Sequence, residues 1–301
     1  KNMKTWKKVG LTALSASLVS ASAYAGELAV TGGASITFHS DQDSTGNPYT
    51  MGNTISFDGS GDLDNGMTVA YHWAMNNGSM TSESVALGLG DGGTLTFGTG
   101  FSGGTRLYDS MIPTAKEEAW DDLSGEANNH SAIGTANAFT YAGSFAGLDV
   151  TGHYQKNSSG AASSNDASIG ASYTFNDLTV GYAVGEDGNT MDETAVYAKY
   201  VIGGATLAWS QFGVDVTSST DDREVTQYGA SFAVNENMSV SYGKSVVDFD
   251  NSTTDQEATG ASISYTMGSI TVAAAANDET GTGGTAGSED SMVEVTASFA
   301  F

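Results

Sequence analysis

The chain has 301 residues, of which 35 are acidic and only 10 basic, so its formal net charge is −25 at pH 7. This charge excludes nucleic acid as a partner, because phosphate binding requires clustered Lys and Arg side chains. The chain has no cysteine, which excludes disulfide bonds and thiolate metal sites.

Residues 1 to 25 have the pattern of a secretory signal peptide. Four lysines among the first eight residues precede an apolar stretch from Val9 to Val19, and small residues end at Ala23-Tyr24-Ala25. The apolar stretch is about half of the roughly 20 residues that a spanning helix needs, so an N-terminal anchor is the weaker interpretation. We predict cleavage between Ala25 and Gly26, which leaves a single mature domain of residues 26 to 301. Removing the lysine-rich segment would change the net charge from −25 to −29.

The rest of the chain alternates apolar residues with small or polar ones. Every second residue from Met67 to Met75 is apolar, and the same period recurs in Met238, Val240 and Tyr242. A period of two residues is typical of strands with one apolar face. The pattern predicts sixteen strands, at residues 27–38, 52–59, 66–75, 83–90, 94–99, 137–142, 147–156, 166–175, 178–185, 193–202, 205–213, 224–234, 238–247, 257–267, 270–277 and 289–301.

The connections between these strands differ in length. Short connections rich in Gly, Asn and Asp lie at residues 90–93, 176–177, 203–204, 235–237 and 268–269. Longer polar connections lie at residues 39–51, 156–165, 214–222, 248–256 and 278–288. Short and long connections are predicted to alternate strictly. Outer-membrane barrels have short periplasmic turns and long external loops, whereas a soluble β-sandwich has no reason to collect its long loops at one end.

We therefore predict an all-β fold, a transmembrane antiparallel β-barrel of about 16 strands in the outer membrane of a Gram-negative bacterium. Beyond Gly26 the longest uninterrupted apolar run is Val272 to Ala276, too short for a spanning helix. The barrel must close, because an open sheet edge would leave backbone groups unsatisfied in lipid. A barrel of this size encloses an aqueous channel.

The chain resembles the general Gram-negative porin family along essentially the whole mature domain. The resemblance rests on the strand count, on the sequence Gly92 to Gly98 before one very long loop, and on the last strand, Met292 to Phe301. It implies a homotrimer in outer-membrane lipid that passes ions and small hydrophilic solutes by diffusion. It also implies that Phe299 and Phe301 form the aromatic signal read by the barrel-assembly machinery.

In this family the third external loop folds inward and narrows the pore, and residues 101 to about 136 occupy its position here. The resemblance thus implies a constriction whose charged residues are Arg106, Asp109, Lys116, Glu117, Glu118, Asp121, Asp122 and Glu126. Strand parity directs further ionisable residues toward the lumen, namely Asp58, His72, Asp149, His153, Lys199, Arg223 and Glu294. Parity directs Lys244 outward, and Lys156 falls in a loop. Because acidic residues outnumber basic ones, we expect a preference for cations.

Other motifs have simpler explanations. Gly88 to Gly93 match a dinucleotide-binding pattern and Gly100 to Gly104 an esterase elbow, but both need a helix after the strand. The histidines, at positions 39, 72, 130 and 153, lack metal-ligand spacing. Acidic pairs such as Asp121-Asp122 supply too few ligands for a dedicated Ca²⁺ site. We expect no cofactor and no metal site, although weak Ca²⁺ binding by the loops remains open.

Two other functions remain as alternatives to a non-enzymatic diffusion channel. A substrate-specific channel would have an aromatic track or a ladder of basic residues on its inner face. An outer-membrane hydrolase would need a serine, a histidine and a polar partner clustered on the barrel.

Overall fold

A computed structural model describes residues 28–41, 46–108, 111–125, 133–156, 165–188, 191–217 and 221–301. Within these residues, sixteen strands form one sheet. The strands are β1 Leu28–Asp41, β2 Tyr49–Asp62, β3 Thr68–Asn76, β4 Ser79–Gly88, β5 Thr94–Thr99, β6 Ala138–Phe145, β7 Leu148–Lys156, β8 Asn165–Phe175, β9 Leu178–Asp187, β10 Met191–Ile202, β11 Ala205–Val216, β12 Arg223–Ala233, β13 Met238–Phe249, β14 Gln256–Met267, β15 Ile270–Thr280 and β16 Glu289–Ala300.

The sheet closes on itself. Each strand pairs with its sequence neighbours in antiparallel fashion, and β16 pairs with β1 from Gly33 opposite Ala300 to Asp41 opposite Met292. Beyond the last strand, the backbone nitrogen of Phe301 donates to the carbonyl of Gly32 at 2.9 Å. Closure satisfies the edge groups that lipid could not. The predicted sixteen-stranded antiparallel barrel is confirmed.

The helices in the described part of the chain are very short. They are α1, Thr105–Tyr108, and single 3₁₀ turns at Gly90–Gly92 and Thr282–Gly284. None of them has the length and apolar character needed to cross a membrane.

The predicted alternation of short and long connections is not strict. Asn77 and Gly78 alone join β3 to β4 at the long-loop end, where both have the positive φ that a two-residue hairpin requires. The connection from β9 to β10, between Asp187 and Met191, is also short. Lys156, expected in a loop, is the last residue of β7. The residues of each turn therefore influence the length of a connection, in addition to the end of the barrel at which it lies.

The outward face of the barrel carries large apolar side chains. Val180, Tyr182, Leu207, Tyr242 and Ile263 are all exposed on it. Lipid is the environment that such a continuous apolar face requires.

Lys244 also points outward, as strand parity predicts, and Glu257 on the neighbouring strand β14 pairs with it at 2.7 Å. Lys244 lies in the middle of β13, whereas Glu257 is the second residue of β14. The ion pair with Glu257 offsets part of the cost of a lysine on the lipid-facing side of the barrel.

The hydrophobic core of the described residues lies inside the barrel, between the wall and the segment that joins β5 to β6. We call that segment, residues 100–137, the third loop. Its residues Ile112, Ala119, Trp120 and Leu123 pack with wall residues in one buried cluster. Full burial of a side chain such as Ile112 or Leu123 contributes about 1.5 to 3 kcal/mol, so apolar packing holds the loop within the barrel. The inward course predicted for this loop is confirmed.

Candidate functional site

The third loop follows the inner wall over more than half of the barrel. It begins on β7 and β8, where the backbone nitrogen of Gly104 donates to Thr151 Oγ1 at 3.3 Å. The Thr105 hydroxyl donates to Glu193 Oε2 on β10 at 2.8 Å. Farther on, the backbone nitrogens of Ala115 and Lys116 donate to serine hydroxyls of β13 and β14, at 2.8 and 3.1 Å. Side chains of β7, β10, β13 and β14 therefore bind the loop along its course.

The middle of the loop packs against a row of three glycines, which we call the glycine seat. Gly229, Gly243 and Gly260 are direct cross-strand neighbours on β12, β13 and β14. A Cβ at 229 would overlap the side chain of Ile112, and a Cβ at 260 would lie 2.9 Å from Ala119 Cα. Because these three glycines have no side chain, the loop backbone can approach the sheet closely.

Side chains of β15 and β16 hold residues 118–124 of the loop by hydrogen bonds. The amide of Asn277 donates to the carbonyls of Glu118 and Asp121, at 3.2 and 3.1 Å. Asp290 accepts from both the backbone nitrogen and the hydroxyl of Ser124, at 2.7 and 2.6 Å. Side chains of the wall therefore fix the turn at residues 118–121 and Ser124 after it.

Two of the predicted constriction acids stabilise this turn. Glu118 Oε2 accepts from Trp120 Nε1 at 3.1 Å, and Asp121 Oδ2 accepts from the backbone nitrogen of Glu118 at 2.8 Å. Asp109 and Glu126, also predicted there, lie outside the described residues. So do the predicted cleavage residues, Ala25 and Gly26.

The structure brings Lys116, Glu117 and the wall residue Glu294 together. The Lys116 ammonium pairs with Glu117 and lies 2.6 Å from Glu294 Oε1, and all three side chains are less than one-sixth exposed. One cation thus faces two carboxylates, which leaves a net charge of −1. Burial raises the pKa of Glu117 to about 7 although Lys116 opposes that shift. Burial would lower the pKa of Lys116, but the hydrogen bonds to both carboxylates outweigh it and raise the pKa.

Asp122 and His39 lie next to this trio. Ligand-type atoms of His39, Asp122 and Glu294 are all within 4.8 Å of one another, and Asp122 is exposed. Burial and the charge of Glu294 raise the pKa of Asp122, while nearby His39 and Lys116 oppose the shift. Negative charge is therefore concentrated where the loop reaches the seam between β1 and β16.

A second polar group lies on β2, β3 and β4. Asp58 Oδ1 is 2.6 Å from His72 Nδ1, and His72 Nε2 is 2.9 Å from Ser82 Oγ. The ring of Phe101, at the start of the third loop, meets the His72 ring edge-on with centroids 5.8 Å apart. Asp58 and His72 remain partly open to solvent.

The remaining predicted residues are dispersed. Arg106 donates to the carbonyl of Ile133 at 3.1 Å and so joins the two ends of the third loop. His153 is buried beneath the returning loop, 2.8 Å from the carbonyl of Gly134. Asp149 on β7, Lys199 on β10 and Arg223 on β12 lie on the inner face at separate places.

Sequence reasoning missed three parts of this site. It discounted His39 as a ligand, it did not select Ser82, and it did not identify the glycine seat. Glycines at inward positions in the middle of strands were a usable sign of close backbone approach. The partners of His39 and Ser82 depend on cross-strand register, which a local pattern does not give.

The arrangement is a set of polar and charged side chains beside a fixed loop. Carboxylates at the loop and wall can attract cations, and the His39 group offers nitrogen and oxygen ligands to a metal ion. The Asp58–His72–Ser82 chain has the hydrogen-bond order that activates a serine nucleophile.

Comparison with known proteins agrees with this architecture. The family model for Gram-negative porins matches residues 10–276. A search of curated protein sequences returns no match.

Solved structures with the same fold have low sequence identity to the chain. In-vitro folded OmpT, an outer membrane protein of Vibrio cholerae, is 12% identical, with a TM-score of 0.70 over 93% of this chain and 99% of that one. A trimer form of OmpT is 13% identical, with a TM-score of 0.68 over 92% and 100% of the two chains. A porin structure is 16% identical, with a TM-score of 0.67 over 91% and 100%.

Proposed function

The chain belongs to the Gram-negative porin family, and we propose that it is a diffusion channel that prefers cations. The fold is that of an outer-membrane channel barrel. The observation that carries the proposed preference is the group of carboxylates at Glu117, Asp122 and Glu294, which a single lysine opposes. The passage would run between the third loop and the wall of the first strands.

The proposed preference for cations has an electrostatic cause near the third loop. Carboxylates in a narrow passage with low-dielectric walls raise the concentration of counter-ions there. Asp58 adds a further acid on the wall of β2. Lys199 lies on β10 and Arg223 on β12, and neither strand is adjacent to the seam strands β1 and β16 that carry His39 and Glu294.

General diffusion explains the inner wall better than a specific substrate does. Tyr108, Tyr197 and Phe212 are inner aromatic residues that the loop and wall bury, so they cannot form an open track. The few basic residues are dispersed. We therefore favour ions and small hydrophilic solutes as cargo.

Reconstitution in a planar lipid bilayer tests the proposal. Discrete conductance steps are expected, and a KCl gradient should give a reversal potential with the sign for cations. A barrel that inserts without conducting would contradict the channel, and an anion-selective reversal potential would contradict the preference.

The preference should weaken on acidification. Glu117, with a pKa of about 7, carries its charge above that pH and loses it as the pH falls through 7. Protonation then takes the Lys116, Glu117 and Glu294 trio from −1 to neutral. We expect the cation-to-anion permeability ratio to fall when the pH is lowered from about one unit above this pKa to about one unit below it.

A Glu117→Gln variant is the control for that titration. It should have a lower ratio at the alkaline end and a flatter profile between the two pH values. A wild-type ratio that stays constant across this range would show that Glu117 does not influence the passage.

A second candidate function, ester hydrolysis, rests on one observation. Asp58 accepts from His72 Nδ1, so neutral His72 presents Nε2 as the acceptor for the Ser82 hydroxyl. Turnover of a nitrophenyl ester by the purified barrel, lost in Ser82→Ala, would favour a hydrolase. Absence of turnover would leave these residues as part of the polar wall and agree with a non-enzymatic channel.

The proposal includes export, assembly and oligomeric state. We propose that the segment before Gly26 is a cleaved export signal and that the mature barrel assembles as a homotrimer. One of the solved OmpT structures is a trimer form. Phe299 and Phe301 would serve the assembly machinery, as they lie at the end of the seam strand.

A further inference from the structure

Three elements that are distant in sequence meet at one point inside the barrel. His39 of β1 and Glu294 of β16 are direct partners across the closing seam. Asp122 of the third loop completes the group, with ligand-type atoms of all three residues within 4.8 Å of one another. An imidazole and two carboxylates are thus placed around a common space.

Two of the three ligand groups already contact each other. Glu294 receives both Lys116 Nζ and the Thr296 hydroxyl on Oε1, at 2.6 and 2.7 Å, and its carboxylate also lies against that of Asp122. Two carboxylates in contact repel each other, and a cation bound between them would relieve that repulsion. His39 Nε2 is shielded from solvent and, within the described part of the chain, has no hydrogen-bond partner. An unpaired buried nitrogen is unfavourable and would be satisfied by a metal ion. Asp122 is exposed, so an ion can enter from the lumen.

We propose that His39, Asp122 and Glu294 form a binding site for a divalent transition-metal ion such as Zn²⁺. Imidazole nitrogen with carboxylate oxygen suits zinc and its first-row neighbours, whereas Ca²⁺ and Mg²⁺ select oxygen ligands. Three protein ligands leave a position for water. The proposal differs from the expectation, drawn from the sequence, that the chain has no metal site.

The geometry needs only a small adjustment. In a tetrahedral site, Zn–N and Zn–O bonds of about 2.0 to 2.2 Å place two ligands of one ion about 3.3 to 3.6 Å apart. Ligand atoms that lie within 4.8 Å of one another reach that spacing with side-chain movements of up to about 1 Å. Since Asp122 belongs to the loop and the other two residues to the seam, bound metal would tie the loop to the strands that close the barrel.

A bound ion would also change permeation. Two positive charges beside Asp122 and Glu294 would cancel their attraction for passing cations. This second effect rests on the proposed function, whereas metal binding does not.

Isothermal titration of the chelator-treated, folded barrel with Zn²⁺ tests the site. One ion per chain is expected. His39→Asn and Asp122→Asn should each weaken binding about tenfold or more, since even indirect support of a ligand is worth 10 to 100-fold in affinity. The control is His72→Asn, which makes the same change beside another lumen carboxylate, Asp58. It should bind as the wild type does.

Absence of Zn²⁺ binding by the wild type, or equal binding by His39→Asn and Asp122→Asn, would overturn the site. Heat-modifiability on gels confirms that each variant is folded. Reversal potentials with and without Zn²⁺ then test the effect on permeation, which should be present in the wild type and absent in His39→Asn. Calorimetry reports on the site whether or not the barrel conducts, so failure of the channel function is recognised separately.

Discussion

Replacing Glu117 and Asp122 together by their amides should lower the cation-to-anion permeability ratio several-fold at low salt. An ion that passes about 5 Å from a unit charge in water gains about 0.8 kcal/mol, which is about a fourfold enrichment. Asp122 is exposed to the lumen, and above the Glu117 pKa of about 7 the trio of Lys116, Glu117 and Glu294 has a net charge of −1. Removing both carboxylates leaves Glu294 opposed by Lys116 alone.

Salt dependence identifies this effect as electrostatic. The Debye length falls from about 10 Å at 0.1 M to about 3 Å at 1 M, so wild type and variant should converge at high salt. Reversal potentials at several KCl concentrations measure the ratio, and single-channel conductance should persist throughout.

A matched control lies in the same loop. Glu118→Gln with Asp121→Asn also removes two charges, but these side chains accept hydrogen bonds from Trp120 and the loop backbone. We expect a smaller change in the ratio. An equal change in both double variants would mean that total loop charge, and not the cluster at the seam, sets the preference.

Local alternation was sufficient to predict the strands because lipid and water impose opposite demands on neighbouring residues. β13, predicted at residues 238–247, extends from Met238 to Phe249. Errors concentrate at the loop ends, as in β15, which was predicted at 270–277 and runs from Ile270 to Thr280. There both faces are polar, so the alternation disappears while the backbone hydrogen bonds continue.

The site was less predictable because it depends on register and on the course of the loop. Parity directs Glu294 inward, but only the pairing of β1 with β16 places it opposite His39. Likewise, nothing in the local sequence of the third loop distinguishes Asp122, at the seam, from Asp121, whose carboxylate stabilises the loop's own turn.

Replacing Gly260 by valine should displace the third loop from the wall and lower the single-channel conductance. A Cβ at this position would lie 2.9 Å from Ala119 Cα and overlap the Asn277 side chain. Asn277 donates to the carbonyls of Glu118 and Asp121. The substitution therefore disturbs both the close approach of the loop to the glycines and the hydrogen bonds from Asn277. Overpacking of this kind costs about 1 to 3 kcal/mol. Because the wall cannot yield, the loop moves toward the open side of the lumen and narrows the passage.

Gly61→Val is the control, because it introduces the same β-branched residue into β2, where no atom lies within 4 Å of the added Cβ. Valine is favourable in strands, so both variants should form the barrel. Heat-modifiability checks folding, and planar-bilayer recordings measure conductance. We expect the Gly61→Val value to equal that of the wild type. Wild-type conductance in Gly260→Val would instead show that the passage does not run beside the seated loop, since a displaced loop would otherwise change its width.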